Sequence, residues 1–160
     1  MTRLDAWITL PDGARRRVGE LAFSAPDQQG RYASAFRYAP DWLGDADAFP
    51  LDPANLPLAA TEYQADRLTP PLMALDDALP DAWGRRLLIL RGKLARREQS
   101  EPHLLRSLAG RGLGALGFFA PGTEPEDESA DADLVDLDTL ADAAGDLEAG
   151  HEIDDRLRLL

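Results

Sequence analysis

Leu4-Asp5-Ala6-Trp7-Ile8-Thr9-Leu10-Pro11-Asp12-Gly13 is the stretch on which the fold turns. Leu4, Ala6, Ile8 and Leu10 alternate with Asp5, Trp7 and Thr9, the period of a half-buried β-strand. Pro11-Asp12-Gly13 then breaks the run: proline presets one backbone dihedral and glycine permits a positive φ. A second strand is expected over Arg16–Ser24. Gln28-Gln29-Gly30 is another turn signal, after which Tyr32, Ser34, Phe36 and Tyr38 share one face of a third strand. Connections this short leave no room for crossovers, so the strands form an antiparallel meander.

Downstream the chain changes character. Pro40, Pro50, Pro53, Pro57, Pro70, Pro71 and Pro80 punctuate it, and irregular, extended chain is expected from Asp41 to about Arg67. Helices follow. Thr69 can cap one that starts at Pro70 or Pro71 and runs to Leu79. Asp81 can cap a second, with Trp83, Leu87 and Leu90 on one face and Gly92 as its stop. Ser100 can cap a third, ended by Gly110, and Leu113–Phe119 returns to strand character. The expected fold class is therefore α+β: a small antiparallel meander or barrel-like sheet with about three short helices packed on it, plus a helical acidic tail. Residues 1–121 make the domain, 122–133 an acidic linker and 134–160 the tail.

Composition narrows the function classes. The chain has 160 residues, 44% hydrophobic and 29% charged, which suits one globular core. Without cysteine there is no disulfide framework, thiolate zinc site or cysteine nucleophile, and a reducing cytoplasm is the expected compartment. Gly112–Thr123, the longest stretch free of charge, falls short of the roughly 18 residues that span a bilayer. The N-terminus lacks the pattern of a signal peptide, since Asp5 follows Arg3 and the apolar run is short. Residues 1–120 hold 15 basic and 15 acidic side chains. The remaining 2 basic and 14 acidic ones, and with them the net charge of −12, lie in residues 121–160. An acidic tail makes the whole chain a poor nonspecific nucleic-acid binder.

The chemistry-bearing motifs are sparse. Gly112-Leu113-Gly114-Ala115-Leu116-Gly117 matches G-x-G-x-x-G, but the dinucleotide version needs a strand before it and a helix after it. Here a helix precedes and a strand follows, so a glycine turn beside closely packed backbone is expected. His103 and His151 have no second histidine at ligand spacing, and the acidic run Glu124–Asp136 lacks the loop glycine of a calcium-binding loop. No serine sits in the context of a nucleophile, and Asp76-Asp77 reads as helix surface. Arg85, Arg86, Arg91, Lys93, Arg96 and Arg97 crowd into thirteen residues. They form a solvated helix face, a phosphate-contacting patch or a partner for the acidic tail. Trp83, in Leu79-Pro80-Asp81-Ala82-Trp83-Gly84, is either half-buried core or an interface anchor.

Five segments, taken in order, resemble the N-terminal region of the HipA family, serine/threonine-kinase toxins of bacterial toxin–antitoxin systems. Val18-Gly19-Glu20-Leu21 is similar to the family's "V-G-x-L". Phe36-Arg37-Tyr38-Ala39-Pro40-Asp41-Trp42-Leu43 resembles its "F-x-Y-x-x-x-W/Y-L". Pro50-Leu51 with Leu56-Pro57-Leu58 resembles its "P-L-S…L-P-L". Leu79-Pro80-Asp81-Ala82-Trp83-Gly84-Arg85 is similar to its "L-L-P-D-G" turn, and Gly112–Phe118 to its "G-x-x-G-A-L" turn. Leu72-Met73-Ala74-Leu75 departs from the usual phenylalanine pair, and Pro50–Pro57 departs from the serine-containing stretch.

The resemblance implies more than the residues do. No residues match the family's glycine-rich loop, catalytic aspartate or metal ligands, so a non-catalytic chain without cofactor or metal is expected. Its implied role is that of a regulatory, antitoxin-like subunit that binds a HipA-like kinase subunit or kinase core. The implied partner-binding residues are Leu79, Pro80, Asp81, Trp83 and Arg85. A HipB-like DNA-binding antitoxin is a further implied partner, with no direct specific DNA binding and no membrane. The alternative is an N-terminal domain fragment of a longer HipA-like kinase toxin, contributing to antitoxin binding, and persistence is the setting that the family implies. A second alternative, resting on the glycine turn, is a small-ligand-binding enzyme domain.

Overall fold

In the computed structural model, which describes residues 1–65, 75, 77–108 and 114–125, each element forms for a local reason. Strand β1 (Thr2–Thr9) turns through Leu10–Ala14 into β2 (Arg15–Phe23). The turn needs Gly13, whose φ of 84° disfavours any side chain, and Asp12 Oδ1 accepts the Ala14 N–H at 2.9 Å. Between β2 and β3 (Ser34–Tyr38), Asp27 Oδ1 accepts the N–H groups of Gln29 and Arg31, each at 2.9 Å, and Gly30 supplies φ 78°. Those bonds, that of the Arg31 N–H foremost, hold the Asp27 carboxyl below its usual range.

Helix α1 (Pro40–Leu43) and strand β4 (Glu62–Ala65) lie where irregular chain was expected. Both are four residues long, too short for a hydrophobic period to register. Pro40 opens α1, and Trp42 is buried with its Nε1 donating to the Phe49 carbonyl at 3.3 Å. Helix α2 (Ala82–Arg91), a 3-10 turn (Arg96–Glu98), helix α3 (Glu101–Leu108) and strand β5 (Leu116–Phe119) complete the order. The helix expected over 70–79 falls mostly outside the described residues, as do Gly110 and the acidic tail.

All strand pairs are antiparallel, and the sheet order is β4-β3-β2-β1-β5. The first three strands form the expected meander, β4 extends it beyond β3, and β5 returns to the free side of β1. The sheet stays open, with β4 and β5 at its edges. One face is the core. Leu4, Ala6, Val18, Leu21, Phe36 and Phe118 are buried there, together with Leu56, Leu75, Leu104 and Leu105 from the layer above. Tyr38 spans the layers: its hydroxyl donates to the Leu56 carbonyl at 2.6 Å and accepts the Leu51 N–H at 2.9 Å.

The opposite face carries charge. The register sets Asp5, Glu20, Arg37 and Glu62 in one cross-strand row. Glu20 accepts from Arg3 at 3.0 Å and from Arg37 at 3.1 Å, while Asp5 Oδ1 accepts from Arg17 at 2.6 Å. Opposite charges side by side make this a solvated sheet face. Asp5 is nevertheless buried, because its second oxygen accepts the Gly122 N–H at 2.8 Å.

Gly19 explains the "V-G-x-L" stretch physically. It faces the core from β2, and a Cβ added there would lie 2.4 Å from the Arg37 carbonyl oxygen and 2.5 Å from Phe36 Cζ. Glycine is what lets β2 and β3 close while the Phe36 ring crosses over the strand. Met1–Pro125 form one compact unit. No helix among the described residues is long and apolar enough to cross a membrane.

Candidate functional site

The turn into α2 is built by three consecutive constraints. Leu79, 7% exposed, is fixed in the core. Pro80 removes a backbone donor and restricts the preceding residue to extended geometry. Asp81 is then the helix cap: its backbone is extended, and Oδ1 accepts the Gly84 N–H at 2.8 Å. Gly84 belongs to the same device, since a Cβ there would lie 2.7 Å from Pro80 Cβ. Gly92 stops the helix as expected, its N–H bonding the Leu88 carbonyl at 2.9 Å.

Arg85 points back rather than out. Its Nε donates to the Pro80 carbonyl at 2.9 Å, and Nη1 stands 4.0 Å from Glu101 Oε1 at the start of α3. So it staples the turn to two helices. Leu88 and Ile89, on the same side of α2, are half-buried against the core. Trp83 and Leu90 lie on the other side, 45% and 50% exposed. Of the two readings of Trp83, half-buried core and surface anchor, its exposure is that of a surface residue. Of the five turn residues singled out in the sequence, Leu79 and Arg85 are tied into the fold, Pro80 and Asp81 shape the turn, and Trp83 alone offers a large apolar surface.

The other motifs have structural roles. Gly114, at φ 108°, makes a turn that feeds β5, and β5 leads into a Pro121–Gly122 turn. Among the described residues a strand, not a helix N-terminus, follows the glycines, which is not the order of a dinucleotide-binding turn. His103 Nδ1 stands 2.6 Å from Ser100 Oγ, and the Ser100 carbonyl accepts the His103 and Leu104 N–H groups. The pair closes the N-terminus of α3. His151 lies outside the described residues. No cluster of three potential metal ligands occurs among the described residues. Of the basic run, Arg86, Lys93 and Arg96 are exposed.

A shallow cleft lies on the outer sheet face beside β5, lined by Trp7, Thr9, Arg15, Gly117 and Phe119. The Trp7 indole N–H is buried there and has no hydrogen-bond partner among the described residues.

A model of the HipA N-terminal domain matches residues 12–119, more than half of the chain. No curated protein matches the chain. The matched span runs from the β1–β2 turn to the end of β5, so it takes in the Leu79–Arg85 turn and all of α2 and α3.

Proposed function

We propose, for a chain that belongs to the HipA N-terminal domain family and hence to the toxin–antitoxin setting of that family, a regulatory role without catalysis. It binds a HipA-like serine/threonine kinase subunit and acts as its antitoxin-like partner. The observation that carries this reading is Trp83. A tryptophan left 45% exposed on a capped helix keeps a large rigid surface ready for a partner, at little further entropic cost on docking.

The non-catalytic part rests on the absence from the sequence of residues matching phosphate, metal and hydroxyl-orienting roles. The family model matched is that of the N-terminal domain, which is consistent with it. The cytoplasm is the proposed compartment, and a HipB-like antitoxin is the proposed third component.

Titrating the full chain into a HipA-like kinase core tests the reading. Saturable binding with a fall in kinase activity is expected. No binding at tens of micromolar concentrations would refute it.

A second reading has its own support. The matched family model is that of an N-terminal domain, which supports a chain that serves as the N-terminal domain of a longer HipA-like kinase toxin and contributes to antitoxin contact. An in-frame kinase core continuing from Leu160 would favour it; a separate kinase reading frame would favour the regulatory subunit.

A further inference from the structure

Helix α2 has two apolar sides, and the fold uses one. Leu88 and Ile89 pack on the core, with Arg85 tied to Pro80 and Glu101 on the same side. Trp83, Arg86 and Leu90 stand at i, i+3 and i+7, within about 60° of one another around an ideal helix. All three are exposed, the two apolar ones at 45% and 50%. Arg86 makes no hydrogen bond or ion pair with any described residue. Lys93, just past the helix end, and Arg96, in the following 3-10 turn, are likewise exposed and unpaired among the described residues.

An exposed tryptophan and leucine two turns apart, with between them an arginine unpaired among the described residues, have the spacing by which a helix docks into a groove. The span from Trp83 to Leu90 is about 10 Å. Positive charge without partners among the described residues continues beyond the helix through Lys93 and Arg96, whereas the turn before it offers Asp81, whose carboxylate is engaged in capping. Buried apolar anchors require an apolar receptor, and cations that must not be desolvated unpaired require carboxylates at its rim.

We infer that the docking surface runs along α2 through Trp83, Arg86 and Leu90, and that it fits an apolar groove rimmed by carboxylates on the kinase subunit. The inference rests on the regulatory reading above. It keeps Trp83 from the Leu79–Arg85 turn and extends the interface toward the C-terminal half of the helix. Leu79 and Arg85 then act by holding α2 in place.

The test is calorimetric titration of the HipA-like kinase core with the full chain and with Leu90→Ala, Arg86→Glu and Arg86→Lys, at low and high salt. Because these side chains are exposed, the melting curves of the variants should match that of the parent chain. Leu90→Ala is expected to weaken binding about tenfold. Arg86→Glu should weaken it at least as much and flatten its salt dependence, and Arg86→Lys should restore most of the affinity. Parent binding with all variants equal to it would overturn the inference and leave the regulatory reading standing. Binding that strengthens with salt would also overturn it, by removing the charged rim. If the parent chain itself does not bind, the regulatory reading fails and this inference with it.

Discussion

Replacing Tyr38 by phenylalanine removes one oxygen atom and, with it, two bonds that tie the 51–56 loop to the sheet. The hydroxyl is buried, 4% of the residue being exposed, and it both donates to the Leu56 carbonyl and accepts the Leu51 N–H. In the variant the Leu56 carbonyl stays in the core without that donor, and the Leu51 N–H loses its acceptor at a half-buried site. An orphaned buried group costs about 1–3 kcal/mol, so one full and one partly solvated orphan together cost roughly 2–4 kcal/mol. With a urea slope of about 2 kcal/mol/M the unfolding midpoint falls by roughly 1–2 M. Tyr63→Phe is the control: its hydroxyl donates to the carbonyl of exposed Pro57, which water can replace, and a loss below about 1 kcal/mol is expected. The same burial acts on the proton. Desolvation raises the Tyr38 phenol above its ordinary 10.0. The folded chain therefore keeps its proton to higher pH than the unfolded chain does. Stability is full below pH 10 and declines above it, as the unfolded state releases the proton first. The phenylalanine variant lacks this part of the alkaline decline. A variant within 0.5 kcal/mol of the parent, with an unchanged alkaline limb, would refute the reasoning.

Gly19→Ala should destabilise the domain by about 3 kcal/mol or more, because the added carbon meets a backbone carbonyl that cannot move without parting β2 from β3; a thermal melt checks it, and an unshifted midpoint would remove the close approach. Asp52 accepts from the Asn55 side chain and from the Ala54 and Asn55 N–H groups, which hold its carboxyl below 3.8. Its contribution is present above that pH and is lost as the pH falls through the lowered value, so Asp52→Asn should flatten the acid limb of a stability profile below about pH 4. Equal acid limbs in the two proteins would show that the turn does not need the charge.

Strands β1 to β3 were legible because each has an alternating face and a glycine turn beside it, and α2 because Asp81 and Gly92 mark its ends. Where the sequence misled, a physical ambiguity lay behind it. Helix α2 carries apolar residues around most of its circumference, so periodicity alone could not say which side packs. Grouping Trp83 with Leu90 was right as geometry, yet that side is the one left in solvent, because Leu88 and Ile89 reach the core. Strand β4 escaped notice because a four-residue element is specified by its neighbour β3 rather than by its own pattern. The capping role of Asp81 could be read directly. The inward turn of Arg85 could not, since a carbonyl partner leaves no mark in the sequence.

Asp5, near one end of the domain in sequence, depends on a residue near the other. Its two oxygens are filled at very different times. Arg17 lies on the adjacent strand, twelve positions on, whereas the Gly122 N–H is 117 positions away. On a ribosome, the β1–β2 hairpin can form early with one oxygen satisfied, while the other side of β1 stays an open strand edge until β5 emerges. An open edge invites pairing with whatever chain is near. Strand β1 is thus completed only when β5 has been made, and Arg3 and Asp5 give the strand charges that make its waiting edge a poorer template for foreign chains.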